Sequence, residues 1–264
     1  VVHVTFSAKV IAVVLSLVGV AALTIVGPRR LEATVRSFRS RLQAAGPSIG
    51  VLAVVLVLNS IIRDAGGDLS WIIGINITGY IHAIEGAFVA DIQSLASPPL
   101  TEYFSFIYVY GYAFLLILPV VLYLALEDAE PLRETTIAYT LNYAIGLTFY
   151  VLFISYGPRN LIADQVQPLL YTDWPKSQLL TSQINRNTNV FPSLHSSLST
   201  TVALLAYRTR TEYPKWPVVA IPVAVSVTFA TMYLGIHWGT DVVTGIALGV
   251  FSVYAAERLR KRTA

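Results

Sequence analysis

The 264-residue sequence contains no cysteine, so neither a disulfide framework nor a thiolate metal site is available to it. Charge is scarce as well: Asp, Glu, Lys and Arg make up 12% of the chain, against 55% hydrophobic residues. With a mean hydropathy of +0.64, that balance excludes an ordinary soluble domain and implies an integral membrane protein. Internal repeats and low-complexity tracts are lacking too. The net charge of +3 comes from clusters of Arg and Lys. In a membrane protein such clusters mark the cytoplasmic face rather than a nucleic-acid partner.

Apolar runs are what the chain has in quantity. A spanning helix takes roughly 20 apolar residues, and such runs cover about 4–26, 101–126, 135–155, 217–236 and 238–256, with shorter ones near 45–62 and 192–208. The fold expected is all-α: a polytopic membrane helical bundle of six or seven transmembrane helices plus an interfacial helical segment. The first run reads as a retained helix, because Lys9 alone precedes it and it ends in GPRR without a small-residue cleavage site. Residues 1–100 would hold the N-terminal helices, and residues 101–264 the catalytic helical core.

Between the first two helices, PRRLEATVRSFRSRLQ carries Arg29, Arg30, Arg36, Arg39 and Arg41. It is either a solvated connector or an amphipathic segment on anionic head groups, and both place it inside. Within 63–100, WIIGINITGYIHAIEGAFVADI is apolar but interrupted by Asn76, Thr78, His82 and Glu85. Ile73, Ile77, Ile81, Ile84 and Phe88 fall on one stripe, which predicts a helix lying in the interface.

The loop 156–192 lies between two consecutive spans, so Arg159 and His195 flank one loop, and the next pair of helices returns His237 to the same face. The opposite face carries Arg208, Arg210, Lys215, Arg258, Arg260, Lys261 and Arg262. That excess makes it cytoplasmic, with the C-terminus inside and the candidate site extracytoplasmic. The connector EDAEPLRE is placed inside although it is mostly acidic, since acidic residues weigh little in the rule. Gly235 with Gly239 and Gly245 with Gly249 read as helix-packing pairs. The hydroxyl run Ser196, Ser197, Ser199, Thr200 and Thr201 reads as helix packing as well.

Two histidines carry the chemical signal. In FPSLHSS, Pro192 and Ser193 open a helix whose free amides at Leu194 and His195 make a phosphate site, with the His195 imidazole beside it. Alone, a histidine at a helix end has a structural reading. In YLGIHWGTD, Asp241 follows His237 by four residues, on the same helical face. A carboxylate there orients one ring nitrogen and leaves the other as a nucleophile, so a phosphohistidine intermediate becomes available. The bland reading is a His-Asp pair that stabilises a helix start. Arg159, in SYGPRN, supplies a planar cation for phosphate oxygens or an interfacial contact to head groups.

In the order Arg, Ser-x-His, His-x-x-x-Asp, the region from roughly 140 to 256 resembles the type 2 phosphatidic acid phosphatase superfamily. The resemblance implies His237 as nucleophile, Asp241 as its orienting acid and His195 as the general acid for the leaving group. Ser193, the Leu194 amide and Arg159 would hold phosphate oxygens; neither a metal nor another cofactor is implied. The pattern is thinned. Leu152 stands where the family has lysine, Thr231 where it has arginine, Leu194 where it has glycine, and Asn160 where proline follows the arginine. Arg186 or Lys176 in the same loop would have to compensate. The thinned pattern is most similar to the branch containing inositol phosphorylceramide synthase, which moves a phosphorylated head group from one lipid to an alcohol.

The substrate implied is a lipid phosphate or phospholipid in the membrane. With an alcohol acceptor, the reading preferred, the chain is a phosphotransferase; with water, it is a lipid phosphate or polyprenyl diphosphate phosphatase. A non-catalytic protein that binds anionic lipid is the alternative from another class.

Overall fold

Residues 2–175 and 190–263 are described by the computed structural model. The chain folds as α1 (Val2–Ile25), α2 (Pro28–Arg36), α3 (Phe38–Ile73), β1 (Ile75–Asn76), α4 (Thr78–Glu85), α5 (Phe88–Gln93) and α6 (Pro98–Phe106). A π-helical turn, Ile107–Gly111, joins α6 to α7 (Tyr112–Leu124), followed by α8 (Glu130–Leu152), β2 (Phe153–Ile154), α9 (Pro158–Leu161) and α10 (Leu169–Asp173). The last three helices are α11 (Leu194–Arg208), α12 (Lys215–Tyr233) and α13 (Gly239–Thr263).

Five stretches among the described residues are long and apolar enough to cross a membrane: Ser7–Ile25, Phe38–Ile62, Pro98–Leu124, Lys215–Tyr233 and Gly239–Lys261. They fit an integral membrane protein. The remaining long helices are more polar and are packed inside the bundle: α8 against α3, α11 and α13, and α11 against α12 and α13. At 15 residues, α11 rises only ~22 Å, less than a hydrocarbon core of ~30 Å.

Hydroxyls and glycines explain how α11 sits so close to its neighbours. A Cβ on Gly245 would lie 2.4 Å from the Ser193 carbonyl oxygen, and one on Gly249 would lie 2.4 Å from that of Ser197. The two glycines of α13 therefore let the helix backbones touch, as expected of that pair. Buried in the contact, Ser197 donates to the Asn142 side chain, and Asn142 Nδ2 donates to Thr201 Oγ1 at 3.0 Å. In the hydroxyl run Ser197 and Thr201 bond across to α8, Ser196 bonds back to Ser193, and Ser199 Oγ is buried without a hydrogen-bond partner among the described residues. Gly235 and Gly239 form no such pair. Gly235 ends α12 at φ +72°, with Gly235 N–H donating to Met232 O at 2.8 Å and Ile236 N–H to Thr231 O at 2.9 Å. That is a Schellman cap, which needs the left-handed conformation glycine adopts without strain.

The acidic connector finds its partners at one end of the bundle. Arg208 bridges Glu134 at 2.5 Å and Glu257 at 3.1 Å, while Arg260 bridges Glu130 and lies 3.6 Å from Glu134. Arg41 of α3 joins that end by donating to the Leu126 carbonyl at 2.5 Å. Acidic and basic residues that conflicted in a charge count are thus ion-paired neighbours.

The segment 63–100 departs from the single interfacial helix expected. α3 continues for 36 residues, well past residue 62, and is tied to α8 at points far apart along both helices. Thr136 Oγ1 donates to Ser48 Oγ at 2.8 Å, and Gly74 abuts the Val151 carbonyl. Between these ties α3 has ~39 Å of helical rise and α8 only ~23 Å, so α3 is not straight between them. The stripe from Ile73 to Phe88 is cut twice. Gly74 enters the two-residue parallel pairing of β1 with β2, and Gly86, at φ +56°, separates α4 from α5. Ile81 is buried while Ile73, Ile84 and Phe88 are exposed, so the residues of the stripe do not share one buried face: Ile84 turns outward within α4 itself, and Phe88 lies beyond the break at Gly86.

Candidate active site

The site lies at the end of the bundle opposite the ion-pair network, where the α11 N-terminus, the α12–α13 turn and the loop after β2 meet. A small separate core holds these pieces together: Ile81, Val89, Ile162, Val166, Val190 and Trp238. Two backbone contacts set the register. Arg159 N–H donates to Gly235 O at 3.2 Å, and Ser193 N–H donates to Asp241 O at 3.0 Å. Gly157 makes the first possible, since a Cβ there would lie 2.4 Å from the Ile236 carbonyl.

Within this frame the histidine rings stand with centroids 6.1 Å apart. His237 is 4% exposed and Asp241 is fully buried. Asp241 Oδ2 lies 3.4 Å from His237 Nδ1 and accepts a hydrogen bond from Trp238 N–H at 2.8 Å. One carboxylate oxygen therefore serves the turn and faces the ring. Arg159 lies over the Tyr171 ring at 4.6 Å and donates from Nη2 to its hydroxyl at 3.1 Å. Its other terminal nitrogen, Nη1, is buried without a hydrogen-bond partner among the described residues. Burial and then the Arg159 guanidinium drive the His237 imidazole down to about 3, against the Val190 carbonyl, which pulls the other way. A neutral ring is the form that can act as a nucleophile.

Ser193 caps α11: its Oγ accepts from Ser196 N–H at 3.3 Å and from Ser196 Oγ at 3.0 Å. The Leu194 amide faces the Tyr150 hydroxyl, which donates to the Pro192 carbonyl at 3.2 Å. The Leu194 side chain packs into a notch on α8, where a Cβ on Gly146 would lie 2.6 Å from Leu194 Cδ2. A leucine in place of the motif glycine is thus matched by a glycine on the neighbouring helix.

The two positions without the expected cations differ in surroundings. Thr231 is fully buried, and its carbonyl accepts from His237 N–H at 3.1 Å. Leu152 is 43% exposed at the end of α8. Lys176 and Arg186, expected to compensate, lie outside the described residues.

Several residues in contact with the site were not singled out in the sequence. Tyr108 and Tyr112 pack on the His195 ring at centroid distances of 4.6 and 4.3 Å. They sit on and just after the π-helical turn, which shifts the register of side chains on one helix face. Glu85 accepts from Gly239 N–H at 2.8 Å and from Thr240 N–H, meeting the orphan amides and positive end of α13. Trp238 donates from Nε1 to the Tyr156 carbonyl at 2.8 Å, and its ring lies 5.7 Å from that of His82. A lone carboxylate in an apolar stretch was the available signal for Glu85. No one-dimensional signal marks the two tyrosines.

The model of the PAP2 superfamily matches residues 80–255, which takes in α4 and α5 as well as the bundle core. No curated protein and no solved structure matches the chain.

Proposed function

Because the chain belongs to the PAP2 superfamily, we infer that it is a membrane-embedded enzyme of lipid phosphate chemistry, working through a phosphohistidine on His237 and handing its phosphorus to an alcohol. The observation that carries this reading is the meeting of Arg159, His195 and the His237–Asp241 pair at one buried place from separate elements of the fold.

In the first half-reaction the neutral His237 nitrogen away from Asp241 attacks phosphorus, and the bond from phosphorus to the lipid's leaving oxygen breaks. Arg159 Nη1 takes a nonbridging oxygen, while the α11 N-terminus and Ser193 hydroxyl face the developing charge. His195, held by Tyr108 and Tyr112, gives its proton to the departing oxygen. A bound phosphate's negative charge favours the protonated imidazole that this step needs. General acid catalysis of this kind contributes about 10²- to 10⁴-fold. In the second half-reaction His195 takes the acceptor hydroxyl's proton, the acceptor oxygen attacks phosphorus, and the phosphorus–nitrogen bond breaks. Most of the rate comes from positioning and charge stabilisation.

The preference for an alcohol rests on the thinned cations at Leu152 and Thr231 and on a buried site walled by tyrosines, which disfavours bulk water as acceptor. The site end of the bundle, on this reading, faces away from the cytoplasm, and the C-terminus faces the cytoplasm with the Arg-rich end. The test is purified protein in vesicles with a panel of lipid phosphates and phospholipids, with and without inositol, glycerol or a sphingoid alcohol. A new lipid that appears only with an acceptor supports transfer. Free phosphate without one identifies a hydrolase.

The pH dependence follows from the lowered His237 value. The reactive neutral form is already full at pH 5 and is lost only as pH falls toward about 3. With a substrate whose own phosphate does not titrate in the range, kcat/KM is expected to show no acid limb from His237 between pH 5 and 8. A limb centred near the free imidazole value of about 6.5 would contradict that environment.

A further inference from the structure

The C-terminal end of α3, together with β1 and α4, has two unlike faces. One face grips the catalytic turn: Glu85 holds the Gly239 and Thr240 amides, His82 lies against Trp238, and β1 pairs with β2. The other face carries Trp71, Ile72, Ile75, Tyr80 and Ile84, all between 60 and 79% exposed. These residues belong to none of the five crossing stretches. They follow the polar run Arg63-Asp64-Ala65-Gly66-Gly67-Asp68, which separates them from the span Phe38–Ile62.

We propose that this face is seated in the head-group and upper hydrocarbon layer of the leaflet at the site end of the bundle, and that it sets the depth at which a lipid phosphate meets His237. Three observations select lipid as the occupant. Trp and Tyr mixed with isoleucines are the composition of a membrane–water boundary. The face continues the outward surface of α3, where Val51, Val54, Val57 and Ile61 are exposed along a crossing stretch. The pairing of β1 with β2 and the Glu85 bonds to the Gly239 and Thr240 amides hold this segment at the site end of the bundle, with these side chains left exposed. The seating stands on the surface alone; the delivery role rests on the lipid reading of the site.

The absence of cysteine gives a clean experiment on the full chain. Single substitutions Ile72→Cys and Ile84→Cys carry an environment-sensitive fluorophore in lipid nanodiscs with one protein per disc, with Val54→Cys as the mid-span reference. Lipids bearing a quencher near the head group are expected to lower emission at both positions by at least ~2-fold, with little effect from aqueous iodide. Quenching by iodide and not by lipid overturns the proposal. Shielding from both, with label–label quenching in discs holding two proteins, also overturns it by making a second copy the occupant.

The second arm measures turnover in Ile72→Asp/Ile84→Asp. Activity on a long-chain lipid phosphate in vesicles is expected to fall about 10-fold, while a short-chain water-soluble analogue is turned over as before. Equal loss on both substrates overturns the delivery role. If the unsubstituted protein turns over neither substrate, the catalytic reading fails, and the quenching arm still decides the seating.

Discussion

Replacing His237 with alanine is expected to abolish turnover, by roughly 10⁴- to 10⁶-fold, the scale seen when a covalent nucleophile is removed. Such a loss corresponds to roughly 5–8 kcal/mol of barrier, more than any single phosphate contact supplies. The reason is local. His237 lies near the Arg159 guanidinium, and His195, 6.1 Å away between centroids, is the proton donor on the proposed mechanism. The backbone N–H of His237, which bonds the Thr231 carbonyl at 3.1 Å, is unaffected by the substitution. His237→Asn serves as the volume-preserving companion, because the side chain is buried. Brief exposure of the unsubstituted protein to a phosphorus-labelled donor is expected to leave label on the protein that acid removes and alkali does not, the behaviour of a phosphorus–nitrogen bond. His195→Ala is expected to slow formation of that label with a poor leaving group. Label retained in His237→Ala, or turnover unchanged in it, would end the phosphohistidine model.

Much of this architecture is legible in the sequence because burial in a membrane is written in long apolar runs. The runs near 4–26, 101–126, 217–236 and 238–256 became α1, α6 with α7, α12 and α13, each bounded by glycine, proline or charge. The pairing of Gly245 and Gly249 was readable because close helix approach demands a missing side chain. The His-x-x-x-Asp and Ser-x-His spacings were readable as patterns, but not as one helical face: His237 lies in the turn before α13, and Asp241 faces it from the helix's first turn. The meeting of the two motifs, by contrast, depends on pieces far apart in sequence: Gly157 under Ile236, the Ser193 amide on Asp241, and Gly146 opposite Leu194.

Other features were hidden for identifiable reasons. The polar run from Arg63 to Asp68 ends the hydropathy signal of α3 although the helix continues through it. Glycine at position 86 looks like a mild interruption until its positive φ turns α5 off the face of α4. The tyrosines on His195 depend on a π-helical turn, and an ordinary helical wheel gives no warning of that change of register. Glu85 reads as a nuisance charge in an apolar segment until the α13 amides stand opposite it. In each case the missing information is a tertiary partner, which no local pattern contains.

Asp241→Asn is the sharper test, because it changes charge while keeping shape, and the structure specifies what each atom loses. Oδ2 faces His237 Nδ1 at 3.4 Å and accepts from Trp238 N–H at 2.8 Å, whereas Oδ1 and Nδ1 itself are buried without a hydrogen-bond partner among the described residues. An asparagine that keeps its oxygen at the Oδ2 place retains the turn and an acceptor facing Nδ1, but it buries an unpaired amide at the Oδ1 place. One that flips points N–H at the ring, breaks the bond to Trp238 and forces Nδ1 to be the acceptor, which protonates the attacking nitrogen instead. Either arrangement removes the negative charge that, on the proposed mechanism, would stabilise the imidazolium-like phosphohistidine. A fall in kcat on the order of 10³- to 10⁴-fold is expected by analogy with loss of the orienting acid in a triad, about 4–5 kcal/mol of barrier. KM is expected to change little, because Asp241 is buried behind the ring and does not face the phosphate. The Ser193 N–H bond to the Asp241 backbone carbonyl, at 3.0 Å, survives the substitution, so α11 and its cap stay in place. A loss shared equally between kcat and melting temperature would make Asp241 a fold-holding residue of the α12–α13 turn. A large loss of kcat in a protein with unchanged melting behaviour would make it the group that sets the charge and tautomer of His237.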